Sequence, residues 1–309
     1  MKGPLFYAKI LLFGEYGIIK DSKGLSIPYN FYKGALRMDN TSSKEAIDSN
    51  TKLREFAKHL SVLDTQLVHF DLERLATDLN SGMYFDSSIP QGYGVGSSGA
   101  LVAAIYDRYA LEKITVLENL TRTKLTKLKS IFSAMESFFH GKSSGLDPLN
   151  SFLSLPILIH SKSDIEPTGI PSQSQHGKAA VFLLDSGMTS ETAPMVSIFM
   201  DNLEAPAFRK MMKDEFITIS DRCIEHFLTK NTPALFEDVK KLSSVVLRHF
   251  TPMIPKPFLA LWKKGLDSNA YYLKLCGSGG GGYILGFTSD LPKAKALLTG
   301  HKLEVVYTF

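Results

Sequence analysis

Ile89-Pro90-Gln91-Gly92-Tyr93-Gly94-Val95-Gly96-Ser97-Ser98-Gly99-Ala100 sets three alternate glycines ahead of a serine pair and an apolar run. Glycines at that spacing let the backbone curl until successive N–H groups point into one concavity. A helix starting just beyond them adds the positive end of its dipole, which makes an anion site suited to a polyphosphate. The serines fall in the first helical turn, where a hydroxyl can cap the helix or ligate Mg2+. No GK[ST] follows, so this is not a Walker loop, and the full dinucleotide-binding spacing is missing as well. A glycine-rich turn with Ser as a plain N-cap is the simpler reading of the same letters.

Outward from this loop, Ala100 to Leu111 is nearly apolar all round and predicts a buried helix. Upstream, the run Phe6-Tyr7-Ala8-Lys9-Ile10-Leu11-Leu12-Phe13 predicts a mostly buried strand closed by Gly14. Asp21 to Gly24 has turn composition, and Leu53, Phe56, Ala57, Leu60 and Leu63 give an amphipathic helix over residues 51–63. Downstream, residues 120–139 predict a second long helix stopped by His140-Gly141, and residues 151–160 read as extended. Between Ser161 and His176 the composition shifts to Ser, Pro, Gly and Gln without periodicity, which marks a linker. Beyond it come a short strand at 179–184 and helical patterns around 193–216, 223–228 and 235–249. A strand, glycine loop and strand then run from Tyr271 to Phe287. Strands and helices mix in both halves, so the fold class is α+β, in two lobes.

Two further segments carry chemistry. In Met135-Glu136-Ser137-Phe138-Phe139-His140-Gly141-Lys142-Ser143-Ser144-Gly145-Leu146-Asp147-Pro148, Glu136 shares the apolar helix face with Phe132 and Phe139. A carboxylate there is costly without a cation, and Mg2+, which prefers hard oxygen ligands, would supply one. Asp147, beyond a Ser-Ser-Gly turn, reads either as a loop cap or as a base facing a substrate hydroxyl. In Lys274-Leu275-Cys276-Gly277-Ser278-Gly279-Gly280-Gly281-Gly282-Tyr283, four consecutive glycines exceed what a hairpin needs. Close approach of backbone to a ligand is the expected reason, with a flexible hairpin as the alternative.

Composition narrows the classes. A chain of 309 residues with 44% hydrophobic content, Gly 23 and Pro 14 is neither disordered nor collagen-like. The net charge of +4 permits anionic ligands but shows no concentrated basic stripe, so no nucleic-acid partner is expected. Its densest basic segment (Arg122, Lys124, Lys127, Lys129) alternates with leucines as a solvated helix face does. No apolar run approaches the roughly 18 residues of a membrane span, so no membrane association is expected. Cys223 and Cys276 lack disulfide or zinc spacing, which fits a reduced, cytoplasmic setting.

Taken together, three segments resemble the GHMP kinases: Ala8 to Glu15 the first motif, Pro90 to Ala100 the phosphate loop, Lys274 to Gly282 the third motif. Within that superfamily the likeness is strongest to mevalonate kinases, through Lys9, Gly14-Glu15, Glu136 and the His140-to-Asp147 stretch, with Glu136 and Asp147 eleven residues apart. Residues 181–187, followed by Ser190-Glu191-Thr192, resemble the strand and substrate-side turn of those enzymes. The chain departs from the pattern at Ala8 (usually Gly), Tyr16 (often His), Gly99 (usually Ala), Lys142 (usually Pro) and Tyr283 (usually Cys).

The resemblance implies a lobe like ribosomal protein S5 domain 2 over residues 1–165 and a ferredoxin-like lobe over 166–309. It implies ATP-dependent phosphorylation of a primary hydroxyl on a small-molecule alcohol, with mevalonate the acceptor and 5-phosphomevalonate the product. Phosphomevalonate, a sugar or another alcohol is the alternative acceptor, and a sensor that binds ATP without chemistry is a further one. Pro90, Gly92, Gly94, Gly96, Ser97, Ser98 and Gly99 would hold ATP, and Ser98 with Glu136 would hold Mg2+. Asp147 would take the acceptor's proton, while Lys9 favours its ionised form and offsets charge on the transferring group. Glu15, Tyr16, Gly145, Thr192, Gly279 and Gly280 would face the acceptor. Members of the family often form homodimers.

Overall fold

The computed structural model describes residues 3–38, 43–116 and 119–309. From the N-terminus, β1 (Phe6–Phe13) is followed by the long β2 (Gly24–Met38), α1 (Lys44–Leu60), β3 (His69–Phe70), α2 (Leu72–Asn80) and β4 (Met83–Ser87). Next come α3 (Ser97–Tyr109), β5 (Ala110–Leu111), α4 (Arg122–His140), α5 (Leu146–Leu153), β6 (Ile157–Ile159), β7 (Ile165–Pro167) and β8 (Ala180–Asp185). The remainder is α6 (Thr192–Asn202), α7 (Pro206–Met211), α8 (Thr218–Leu228), α9 (Thr232–His249), α10 (Leu259–Ser268), β9 (Tyr272–Leu275), β10 (Tyr283–Thr288), α11 (Leu291–Leu297) and β11 (Leu303–Thr308). No helix among the described residues is long and apolar enough to cross a membrane.

The chain divides into two compact units, and neither is contiguous. Unit 1 comprises Met1–Lys9, Ile27–Pro90 and Gly96–Leu155; unit 2 comprises Ile10–Ser26, Gln91–Val95 and Pro156–Phe309. This differs from the contiguous blocks 1–165 and 166–309 that the resemblance implies. The last crossing falls at Leu155–Pro156, and residues 161–176 lie wholly in unit 2, where they carry β7.

In unit 1, β2 pairs antiparallel with β4, from Gly34 opposite Ser87 to Met38 opposite Met83. The core is built on α3, whose Val102, Ala103, Ala104, Ile105 and Tyr106 are all buried, as its all-round apolar pattern requires. Tyr106, Phe132 and Phe152 pack edge-on with centroids 5.0–5.6 Å apart and join α3, α4 and α5. The side chain of Thr121 accepts from the Lys124 N–H to start α4, and Gly141 at φ 69° ends it. Arg122, Lys124, Lys127 and Lys129 on α4 are exposed or half-buried, which bears out the solvated face. Residues 151–153, expected as extended, form the last turn of α5 instead, and only 157–159 make a strand.

In unit 2, β8, β9, β10 and β11 form an antiparallel sheet in the order β11-β8-β10-β9. With the helices between β8 and β9, and α11 between β10 and β11, that is the ferredoxin-like order. β8 is buried from Ala180 to Leu184, matching its unbroken apolar sequence. Trp262 on α10 is fully buried, and its indole N–H donates to the Ser243 carbonyl of α9.

Candidate active site

Three elements of unit 1 bring charged side chains to one place. β1 carries Lys9 inward to 4% exposure, and its Nζ lies 2.9 Å from Asp147 Oδ1 in the first turn of α5. The N-cap of α5 is Gly145, so Asp147 is not the loop cap that its Ser-Ser-Gly context also allowed. The first turn of α3 closes over this pair. Gly96, at φ 82°, is the N-cap of α3 with no side chain capping the helix, and a Cβ there would sit 3.0 Å from Lys9 Cγ. A Cβ on Gly99 would lie 2.7 Å from the Asp147 carbonyl carbon and 2.8 Å from Pro148 N.

Next in line is Glu136 on α4, 3% exposed. Ser98 Oγ donates to its Oε1 at 2.9 Å, and the Ser143 hydroxyl donates to Oε2. Burial pushes the Glu136 carboxyl up to about 7, and the charge of Asp147 adds to this. The Ser143 and Ser98 hydrogen bonds, and then the Lys9 ammonium, pull the other way. His140 Nε2 lies 3.1 Å from Ser98 Oγ. Burial holds that imidazole below its ordinary range, with Asp147 opposing.

This donor set fits Mg2+. A hydroxyl and a carboxylate, both hard oxygen donors, meet at 2.9 Å, and burial disfavours the carboxylate's charge unless a cation offsets it. No group of three or more His, Cys, Asp or Glu side chains that could hold a metal occurs among the described residues. Mg2+ suits such a partial shell, because it keeps several waters and takes one or two carboxylates together with phosphate oxygens.

Of the residues singled out in the sequence, Lys9, Gly96, Ser98, Gly99, Glu136 and Asp147 therefore meet in unit 1, with Ser97 opening α3 and Pro90 half-buried in the same unit. Gly145 serves packing. A Cβ there would fall 2.1 Å from the Lys129 carbonyl oxygen, so this glycine lets α5 begin against the backbone of α4.

The other candidates belong to unit 2. Glu15 and Lys274, 5% and 3% exposed, form a buried ion pair with Oε1 and Nζ 2.5 Å apart. The Tyr16 hydroxyl donates to the Ser278 carbonyl at 2.6 Å, and its ring lies 4.6 Å from Phe199 and 5.8 Å from Phe250 between centroids. Burial pushes the Tyr16 phenol up, and the Glu15 charge adds to it. Thr192 is exposed at the start of α6.

The four-glycine run is explained by backbone meeting backbone within unit 2. The Gly280 N–H donates to Met253 O, the Gly282 N–H to Met188 O, and the Gly279 carbonyl accepts from Ser190 Oγ, each at 2.6 Å. Gly92 O accepts from the Ser190 N–H, and a Cβ on Gly94 would meet Cys276 O at 2.6 Å. His140, Ser143 and Lys274 were not singled out as site residues. Their signal was present, since all three fall inside the quoted motifs, but nothing in the letters says that His140 and Ser143 flank the Ser98–Glu136 contact.

Residues 59–154 match the family described as GHMP kinases N terminal domain. Over its full length the chain is similar in fold to L. major mevalonate kinase in complex with R-mevalonate, with a TM-score of 0.65 at 16% identity, covering 100% of this chain and 99% of that one. It is also similar to Streptococcus pneumoniae phosphomevalonate kinase in complex with phosphomevalonate and AMPPNP, with a TM-score of 0.63 at 13% identity over 99% and 100%. Lactococcus lactis galactokinase complexed with galactose gives a TM-score of 0.59 at 11% identity over 98% and 92%. No curated protein matches the sequence.

Proposed function

We infer that the chain is a GHMP kinase, a phosphotransferase that uses ATP as donor; the match of residues 59–154 to that family's N-terminal domain and the likeness in fold support this reading. The reaction proposed is phosphorylation of the primary hydroxyl of mevalonate to 5-phosphomevalonate. One observation carries it: the Lys9–Asp147 ion pair and the Ser98–Glu136 hydrogen bond, each at 2.9 Å, meet at the first turns of α3 and α5.

The acceptor oxygen attacks the γ-phosphorus, the bond to the bridging oxygen of ADP breaks, and the hydroxyl proton passes to an Asp147 carboxylate oxygen. Lys9 pairs with Asp147 at 2.9 Å and offers positive charge to the equatorial oxygens of the transferring group. Backbone N–H groups in the first turn of α3 face the phosphates, which suits their partial positive charge. Gly92, Gly94 and Gly96, all with φ between 75° and 82°, give the loop ahead of α3 its curl. Bound Mg2+, held by Ser98 and Glu136, would neutralise charge on the β- and γ-phosphates. Phosphoryl transfer asks little covalent help of the protein, so positioning and charge supply most of the acceleration.

The test is an ATP-coupled assay over mevalonate, phosphomevalonate, homoserine and galactose with a no-acceptor blank. Mevalonate is expected to turn over best, and Asp147→Asn to lower turnover about 100-fold or more with ATP binding retained. Turnover with another acceptor alone would move the substrate assignment, and an Asn variant as fast as wild type would remove the base.

A further inference from the structure

We propose that His140 is a positioning residue: its Nε2–H donates to Ser98 Oγ and fixes which lone pair of that hydroxyl is left for a divalent cation. The inference rests on the reading of this site as a metal–nucleotide site and goes beyond it, because it gives His140 a role through its contact with Ser98.

The argument is one of hydrogen-bond capacity. A serine hydroxyl has one proton and two lone pairs. Ser98 Oγ donates its single proton to Glu136 Oε1 at 2.9 Å, and with a divalent cation bound Glu136 is a carboxylate, which can only accept. The second oxygen of Glu136 already accepts from Ser143, which holds the carboxylate in that orientation. His140 Nε2, 3.1 Å from the same Ser98 oxygen, then has no proton to accept and must donate. That assigns the Nε2–H tautomer and uses one lone pair. The direction remaining on Ser98 Oγ is the one open to a cation.

The imidazole is exposed, and the helix that carries it places it. His140 is the last residue of α4, one turn beyond Glu136, so a single helix sets the spacing between the two groups that grip Ser98. Without the His140 contact, the Ser98 hydroxyl is restrained by Glu136 alone, and its side chain can swing about χ1 so that the remaining lone pair turns away from the cation. Groups that orient a metal ligand in this way typically matter by 10–100-fold in affinity.

The experiment compares two variants without a ring N–H, His140→Phe and His140→Leu, with His140→Gln, whose amide restores a donor. Mn2+ is titrated into the full-length protein with AMPPNP, and free Mn2+ is followed by electron paramagnetic resonance. AMPPNP binding in EDTA and thermal melting are measured alongside. We expect a tenfold or greater loss of Mn2+ affinity in the Phe and Leu variants, unchanged metal-free AMPPNP binding, and recovery of most of the loss in the Gln variant. Wild-type Mn2+ affinity in either folded donor-less variant, an equal loss of metal-free binding, or no recovery with Gln overturns the assignment. So does a wild-type protein that binds no Mn2+ with AMPPNP. Because this readout needs no acceptor, a protein that binds Mn2+–AMPPNP yet phosphorylates nothing would fail as a kinase while leaving the His140 result to stand or fall by itself.

Discussion

Lys9 and Glu136 are both buried beside Asp147, and each gives its own measurement. Lys9 is 4% exposed and spends its ammonium on Asp147. Lys9→Met keeps the stem and removes the charge, so turnover should fall more than tenfold, about 1.4 kcal/mol in the barrier, and a smaller loss would remove Lys9 from the chemistry. Glu136 carries a carboxyl raised from 4.5 to about 7. In the metal-free protein the folded state therefore holds a proton that the unfolded chain has already released across that window. The stabilising contribution is complete below the unfolded value and is lost as pH rises to about 7, beyond which the slope vanishes. Thermal melts in EDTA from pH 5 to 8 should show this decline in wild type relative to Glu136→Gln, and parallel curves would contradict it. At this scale the sequence was informative about Glu136, since a carboxylate on an apolar helix face announces itself through periodicity. It was ambiguous about Asp147, because a cap and a base use the same residue type, and the Gly145 N-cap with the 2.9 Å contact to Lys9 separates them.

Between elements, the contact that matters most to the site is α3 on α5, and it depends on a missing methyl group. The resemblance expects Ala at position 99, but here the backbone of Asp147 and Pro148 occupies the space a Cβ would need, at 2.7 and 2.8 Å. Gly99→Ala would gain helix propensity of up to about 1 kcal/mol. Set against that is the cost of pushing two helices apart, typically about 1–3 kcal/mol for an overpacked contact. The variant should melt lower than wild type and lose turnover, because the backbone it displaces carries Asp147. A higher melting temperature with wild-type turnover would show that the helices yield freely. Helices with clean periodicity, α3 and α4, were legible to within a few residues. β2 was not, because Pro28 and Gly34 punctuate its sequence and a proline inside a run argues against a strand. The last turn of α5 was missed for a related reason: Ser151-Phe152-Leu153 runs without a break into the apolar letters of β6, and no stop signal marks the change.

At the scale of the molecule, composition marked a boundary near residue 165, whereas the chain crosses between units at 9–10, 26–27, 90–91, 95–96 and 155–156. Four of those crossings leave no compositional trace, because they fall inside strands and inside the glycine loop, where nothing resembles a linker. The consequence can be tested by cutting. A fragment of residues 166–309 lacks Ile10–Ser26 and Gln91–Val95, which belong to unit 2. It would lose Glu15 from the Lys274 ion pair, Phe13 from its stack on Phe287 at 5.4 Å, and Tyr93 from Tyr283 at 5.0 Å. Removing one partner of a buried pair alone costs about 3–5 kcal/mol, a large part of the stability typical of a folded domain. The fragment should therefore show no cooperative thermal transition and little near-ultraviolet circular dichroism, while the full chain shows both. A fragment that melts cooperatively, with the aromatic signals of the intact protein, would mean that unit 2 does not need the two N-terminal segments woven into it.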